Sequence, residues 1–222
     1  MQPPASPSRH ALLDQLAAEV EALPADPFVR IGVDGVDGAG KSVLAGELTT
    51  ALRTRGRTVV HASIDGFHRP RALRHARGSC DPEGFYRDSY DLAAFQEQLL
   101  DPFAPGGHGR HRTHVFDART DTANLAEQQQ AAPGTVLVVD GIFLHRPELR
   151  GAWTWSLWLE VDRATTLQRC VTRDGSGSPD PADASNRRYV AGQQLYVREA
   201  APQQQATHVI DNDDLGHPAL LR

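Results

Sequence analysis

The run Val29-Arg30-Ile31-Gly32-Val33-Asp34-Gly35-Val36-Asp37-Gly38-Ala39-Gly40-Lys41-Ser42 settles most of what this chain can be. Val29, Ile31 and Val33 alternate as in a short strand. Gly35 to Ser42 then fills every fixed position of the pattern GxxxxGK[ST], a loop whose backbone N–H groups cradle phosphate oxygens. Its glycines allow positive φ and close approach of an anion with no Cβ in the way. Lys41 adds a full charge for the β and γ phosphates, and the Ser42 hydroxyl is placed to ligate Mg²⁺. Val43, Leu44, Leu48, Ala51 and Leu52 continue as a helix whose N-terminal dipole favours the same anion. Gly35, Val36, Asp37, Gly38, Ala39, Gly40, Lys41, Ser42 and Val43 are thus the expected nucleotide-binding set, with ATP and Mg²⁺ as cofactors.

Outward from this loop the chain alternates strands and helices. His10 to Leu23 has helical spacing, stopped by Pro24 and Pro27. Arg57 to Ile64 reads as a strand ending in Asp65-Gly66-Phe67-His68. Arg69 to Asp88 has little periodicity and is expected to be an irregular connection. Asp91 caps a short helix to Leu100, and Thr113 to Phe116 reads as a strand or half of a hairpin. Thr135 to Val139 is a β-branched and leucine run of the kind buried on both faces of a parallel sheet, closing on Asp140. Trp155 to Val161 is a further strand whose indoles are expected in the core. Helices over Ala164 to Arg173 and Asn186 to Ala201 precede a last strand, Thr207 to Ile210.

This order implies a doubly wound parallel sheet, a three-layer α/β/α arrangement with ligands at the strands' carboxyl ends. One domain over residues 1–222 is expected, with residues 1–9 as a disordered tail and about 174–184 as a mobile lid loop. A net charge of −5 and scattered arginines argue against nucleic acid as partner. The two cysteines, Cys80 and Cys170, lack CxxC spacing, so the expectation is free thiols in a reducing compartment. No apolar run nears the ~20 residues of a membrane span, and the first residues lack a signal-peptide core, which points to a cytoplasmic protein.

Asp65 follows its strand directly, where a carboxylate can take the proton of an attacking hydroxyl. Asp140 ends the most hydrophobic strand, as a Walker B acid orienting Mg²⁺ does. Arg169, Arg173, Arg187 and Arg188 bracket the loop from Asp174 to Ala184, and arginine forks match phosphate oxygens. His108, His111 and His114 cross a glycine-rich segment with no helix to align them and are not read as a metal site. A GTPase would carry NKxD and a DxxG switch; neither is present.

GVDGAGKS, SIDGFH, VVDGIF, VDRATTLQRCVTRD, RRYVAGQQLY and ATHVIDN, in this order from about Val29 to Pro218, resemble the uridine kinase and phosphoribulokinase group of P-loop kinases. The resemblance implies that Asp65 is the catalytic base, that Lys41, Arg169 and Arg173 act on the ATP phosphates, and that Ser42 and Asp140 hold the metal. The segment with Asn212 would lie near the adenine or on the loop's outer side. The FDHP block of uridine kinases is replaced by Gly84-Phe85-Tyr86-Arg87-Asp88, the YDF block appears as Phe116-Asp117-Ala118-Arg119, and His68 stands where an aromatic is common. His68, Tyr86, Asp88, Phe116 and Arg119 are therefore the acceptor-site candidates beside Asp65. The implied activity is phosphorylation of a primary hydroxyl, foremost on a nucleoside such as uridine or cytidine. Pantothenate, nicotinamide riboside, a sugar phosphate, or a regulatory NTPase role are the alternatives. Self-association stays open.

Overall fold

A computed structural model describes residues 8–24 and 27–222. The expected tail therefore lies outside the described residues as far as residue 7.

Helix α1 (Arg9–Glu21) is capped by the Ser8 side chain, which accepts from the Ala11 amide. Strand β1 (Val29–Gly35) runs into the phosphate loop and helix α2 (Lys41–Thr54). Strand β2 (Val59–Ser63) follows. Then come helix α3 (Pro82–Asp88), strand β3 (Val136–Gly141) and strand β4 (Trp155–Glu160). Helices α4 (Arg163–Asp174) and α5 (Arg187–Ala200) lead to β5 (His208–Asp211) and the short β6 (Ala219–Leu220).

The main sheet has the order β6-β5-β4-β1-β3-β2, with only β6 antiparallel to its neighbour. Its register positions the chemistry. Val33 of β1 lies opposite Asp140 of β3, and Asp140 lies opposite Ser63 of β2. The phosphate loop, Asp140 and the Asp65 turn thus leave the sheet at one edge, the carboxyl ends where α/β folds bind ligands.

Alternation along the strands splits the core in two. Val136, Val138, Trp155, Leu157 and Leu159 face α1 and α2, meeting Leu12, Leu16, Val20, Leu44 and Leu48. Leu137, Val139 and Trp158 face the other layer with Phe67, Phe95, Phe143 and Tyr196. Each such aliphatic side chain removed from water contributes roughly 1.5–3 kcal/mol, which holds the helical layers on the sheet. Both strand indoles are core residues, as expected from the sequence.

Two local expectations are corrected. The connection from Arg69 to Asp88 is not irregular throughout: it holds a helical turn, Arg71–Arg74, and α3. Asp81 caps α3 by accepting from the Gly84 amide at 2.6 Å, and Pro82 fits its first turn, where no N–H is needed. The strand expected at Thr113 to Phe116 is reduced to Phe116–Asp117, paired antiparallel with Thr122–Ala123.

Candidate active site

Positive φ at Gly38 (76°) and Gly40 (92°) shapes the phosphate loop. A Cβ on Gly38 would lie 2.3 Å from the Thr166 carbonyl of α4, so the loop tip and that helix are in direct contact. Asn212, fully buried after β5, donates to the Ala39 carbonyl at 2.7 Å and accepts from Arg9 at 3.2 Å. Its side chain props the loop from behind, on the loop's outer side. Lys41 Nζ donates to the Val36 carbonyl at 2.8 Å, spanning the mouth of the loop.

Ser42 Oγ donates to Asp140 Oδ2 at 2.5 Å. The other carboxylate oxygen, Oδ1, is 3.0 Å from His61 Nε2 on β2. Asp140 is 3% exposed, so these partners fix its orientation. A hydroxyl and a carboxylate oxygen converging at the end of a phosphate loop are hard oxygen donors that suit Mg²⁺.

Asp65 is exposed at the end of β2, its amide donating to Ser63 Oγ at 3.3 Å. The Tyr90 hydroxyl donates to Asp65 Oδ1 at 2.8 Å. Burial and the charges of Asp65 and Asp37 hold Tyr90 far above the usual phenol range, so it stays a donor. His68 donates through Nδ1 to the Asp65 carbonyl at 2.8 Å and lies 4.5 Å from the Tyr90 ring. A cleft of about 440 Å³ opens here, bounded by Asp65, His68, His114, Phe116 and Arg119.

Tyr86 and Asp88 do not join it. Tyr86 is 1% exposed, wedged against Phe143 and Tyr196 in the core. Asp88 pairs with Arg77 at 2.7 Å. Both lie on α3, two residues apart and so on different faces of the helix, and neither face borders the cleft. The arginines also differ in kind. Arg169 donates to the carbonyls of Asn212 (3.0 Å) and Asp213 (2.8 Å), pinning α4 to the loop after β5. Arg173 is 65% exposed and forms a two-point pair with Asp174. Arg188, expected at a lid, is buried, donating to the carbonyls of Arg74, Gly78 and Asp81 at 3.0–3.3 Å.

Several site residues were not anticipated. Asp34, fully buried before the loop, accepts from the Gly35 amide at 2.7 Å, from His145 Nδ1 at 2.7 Å and from the Tyr196 hydroxyl. His145 Nε2 lies 2.9 Å from Ser156 Oγ. On the same face of α5, Gln193 donates to Asp37 Oδ2 at 2.9 Å. A charged residue inside an apolar strand, as Asp34 is, signals a buried polar partner, but does not say which one.

No family model matches the sequence, and a search of curated proteins found none similar. Solved structures do match. A possible uridine kinase from Bacillus stearothermophilus superposes with a TM-score of 0.71 at 21% identity, over 90% of this chain and 97% of that one. The chain has the fold of the P-loop kinases. Phosphoribulokinase from Rhodobacter spheroides matches at a TM-score of 0.57 and 18% identity, over 84% of this chain and 70% of its own. A protein assigned as a fructose transport system kinase from a Silicibacter species gives 0.66 and 24%, over 85% and 95%. In this P-loop kinase fold the expected α/β layering, parallel sheet and phosphate loop at its carboxyl edge are all present.

Proposed function

We propose that the chain is an ATP- and Mg²⁺-dependent kinase of the uridine kinase and phosphoribulokinase group. It transfers the γ-phosphoryl group to a primary hydroxyl of a small metabolite, foremost a nucleoside such as uridine or cytidine. The observation that carries this reading is Asp65. A carboxylate whose Oδ1 is held by Tyr90 at 2.8 Å, on the turn beside the phosphate loop, has one oxygen left for an incoming alcohol.

In this reading the acceptor occupies the cleft beside His68, Phe116 and Arg119. Asp65 takes its proton, the freed oxygen bonds to the γ phosphorus, and the bond from that phosphorus to the β–γ bridging oxygen breaks. The products are a phosphate ester and ADP, and Asp65 then loses its proton to water. Lys41, released from the Val36 carbonyl, follows the β and γ oxygens, and Arg173, released from Asp174, supports them. Ser42 and Asp140 would hold Mg²⁺, which supplies charge neutralisation between the phosphates. Positioning and fixed charges of this kind account for most of the acceleration in phosphoryl transfer.

Fold neighbours carrying the names of a possible uridine kinase, a fructose transport system kinase and phosphoribulokinase agree with an alcohol acceptor but differ in which one. The test is ADP release from MgATP across a panel of nucleosides, sugars and vitamin alcohols. Stimulation by one acceptor, lost in Asp65→Asn, supports the reading; acceptor-independent hydrolysis that survives Asp65→Asn refutes it.

A further inference from the structure

Asn212 holds the phosphate loop by a hydrogen bond whose direction matters. Its Nδ2 donates to the Ala39 carbonyl at 2.7 Å, and a Cβ on Gly40 would lie 2.8 Å from that same nitrogen, so the amide sits against the loop with no room to spare. The side chain is fully buried and has two ends of opposite kind, a carbonyl that accepts and an NH₂ that donates. Turned over, it would set its oxygen against the Ala39 oxygen, acceptor on acceptor. What the far end meets therefore decides which end faces the loop. That partner is Arg9, whose Nη1 donates to Asn212 Oδ1 at 3.2 Å. A guanidinium has donors and no acceptor, so it selects the orientation that the loop needs.

The fold fixes Arg9 from several sides. Its Nε donates to Glu47 Oε2 on α2 at 2.8 Å, with Nη2 2.7 Å from the same oxygen. Nη1 also donates to the Leu215 carbonyl at 3.2 Å, and the Arg9 amide donates to the Gly216 carbonyl at 3.1 Å, both in the turn between β5 and β6. The side chain is 16% exposed, so bulk water does not compete freely for these donors. The far end of α1 is tied down separately, with Glu19 2.5 Å from His208 Nε2 on β5.

We infer that Arg9 is a positioning residue for nucleotide binding: acting through Asn212, it keeps the Ala39 carbonyl on the outer side of the loop and the loop's N–H groups turned toward the phosphates. Helix α1 is then a brace of the site as well as a cover for the sheet. This rests on the phosphate loop binding a nucleoside triphosphate, as in the kinase reading, and not on which alcohol is the acceptor. Ala39 stands between Gly38 and Gly40, both at positive φ, in a loop whose successive N–H groups form an anion-binding concavity. Tilting its peptides moves donors on both sides of it.

Arg9→Met keeps the aliphatic stem and removes the donors, whereas Arg9→Lys returns one charged donor. Glu19→Gln is the control, since it loosens α1 at its far end without touching Asn212. ADP and a non-hydrolysable ATP analogue are titrated with Mg²⁺ by calorimetry on the full chain, thermal midpoints are recorded, and where turnover occurs kcat and KM are separated. Arg9→Met is expected to weaken both nucleotides about 5–20-fold, the order for loss of a charged donor to a buried acceptor, and Glu19→Gln to leave them within about 2-fold even where its thermal midpoint falls as far. Arg9→Lys recovers part of the loss, and in Arg9→Met the KM for ATP rises while kcat and the acceptor KM stay. Should Arg9→Met not fold, Arg9→Gln, too short to reach Glu47 and Asn212 together, takes its place. Unchanged nucleotide affinity in the Arg9 variant, or an equal loss in Glu19→Gln, overturns the inference. A wild type that binds nucleotide without acceptor-stimulated ADP release sinks the kinase reading and leaves this inference to be decided by the Arg9 variant; a wild type that binds no nucleotide sinks both.

Discussion

Ser42 Oγ and Asp140 Oδ2 stand 2.5 Å apart although 98 residues separate them in the chain. The parallel register of β1 and β3 produces the contact, since it sets Val33 against Asp140 and so delivers the carboxylate to the first turn of α2. Hydroxyl and carboxylate are then ready to share one cation without rearrangement of the backbone.

Asp140→Asn removes half of that donor pair while keeping its shape and its contact with His61. The proposed metal role predicts a Mg²⁺ requirement raised by on the order of 10²-fold, with nucleotide affinity measured in EDTA unchanged. Titration of Mg²⁺ against bound ATP by calorimetry, with EDTA controls, checks this.

Asp65→Asn is expected to lower turnover by about 10²–10⁴-fold, the range for loss of a positioned general base, with ATP affinity unmoved. Single-turnover kinetics alongside equilibrium nucleotide binding separates the two. A variant that still turns over normally removes Asp65 from the chemistry.

Gly38→Ala places a Cβ at φ 76° and 2.3 Å from the Thr166 carbonyl. Backbone strain of about 1–3 kcal/mol is expected, together with displacement of α4 from the loop. A fall in thermal midpoint with loss of nucleotide binding is the predicted outcome; Gly46→Ala, at a helical glycine with nothing within 4 Å of the added methyl, serves as the control.

Burial pushes the Asp37 carboxyl above the usual aspartate range, which has a signed consequence for stability. A group whose folded-state affinity for protons exceeds its unfolded one contributes no penalty below the ordinary aspartate range, about 3.9, and an increasing penalty as pH rises through the window above it. Asp37→Asn without ligand should therefore be more stable than wild type at pH 7, with the difference shrinking as pH falls toward 4. Denaturant melts at several pH values measure this, and a difference independent of pH would assign the effect to packing.

Tyr196→Phe keeps the ring against Phe143 and Tyr86 but deprives the buried Asp34 carboxylate of a donor. A loss of about 1–3 kcal/mol is predicted from chemical denaturation, with little change in compactness and so in the slope of the transition.

The sequence by itself determined the phosphate loop, the strand-then-helix order, the carboxyl-edge placement of Asp65 and Asp140, and the burial of Trp155 and Trp158. These follow from local rules: spacing within one loop, and the two-residue period of a strand. The irregular reading of residues 69–88 failed on another local rule, the Asp81-Pro82 start of α3, whose apolar face only becomes visible once Phe85 meets Phe143. Only the tertiary structure decided which side chains share the site. Tyr86 and Asp88 are close in sequence to Tyr90, which holds Asp65, but the helix turns one into the core and the other toward Arg77. Asp34, His145 and Tyr196 come from distant segments, as do Asp37 and Gln193. Pairing across 111 or 156 residues depends on sheet register and on how α5 is seated, and neither is encoded in any short window of the chain.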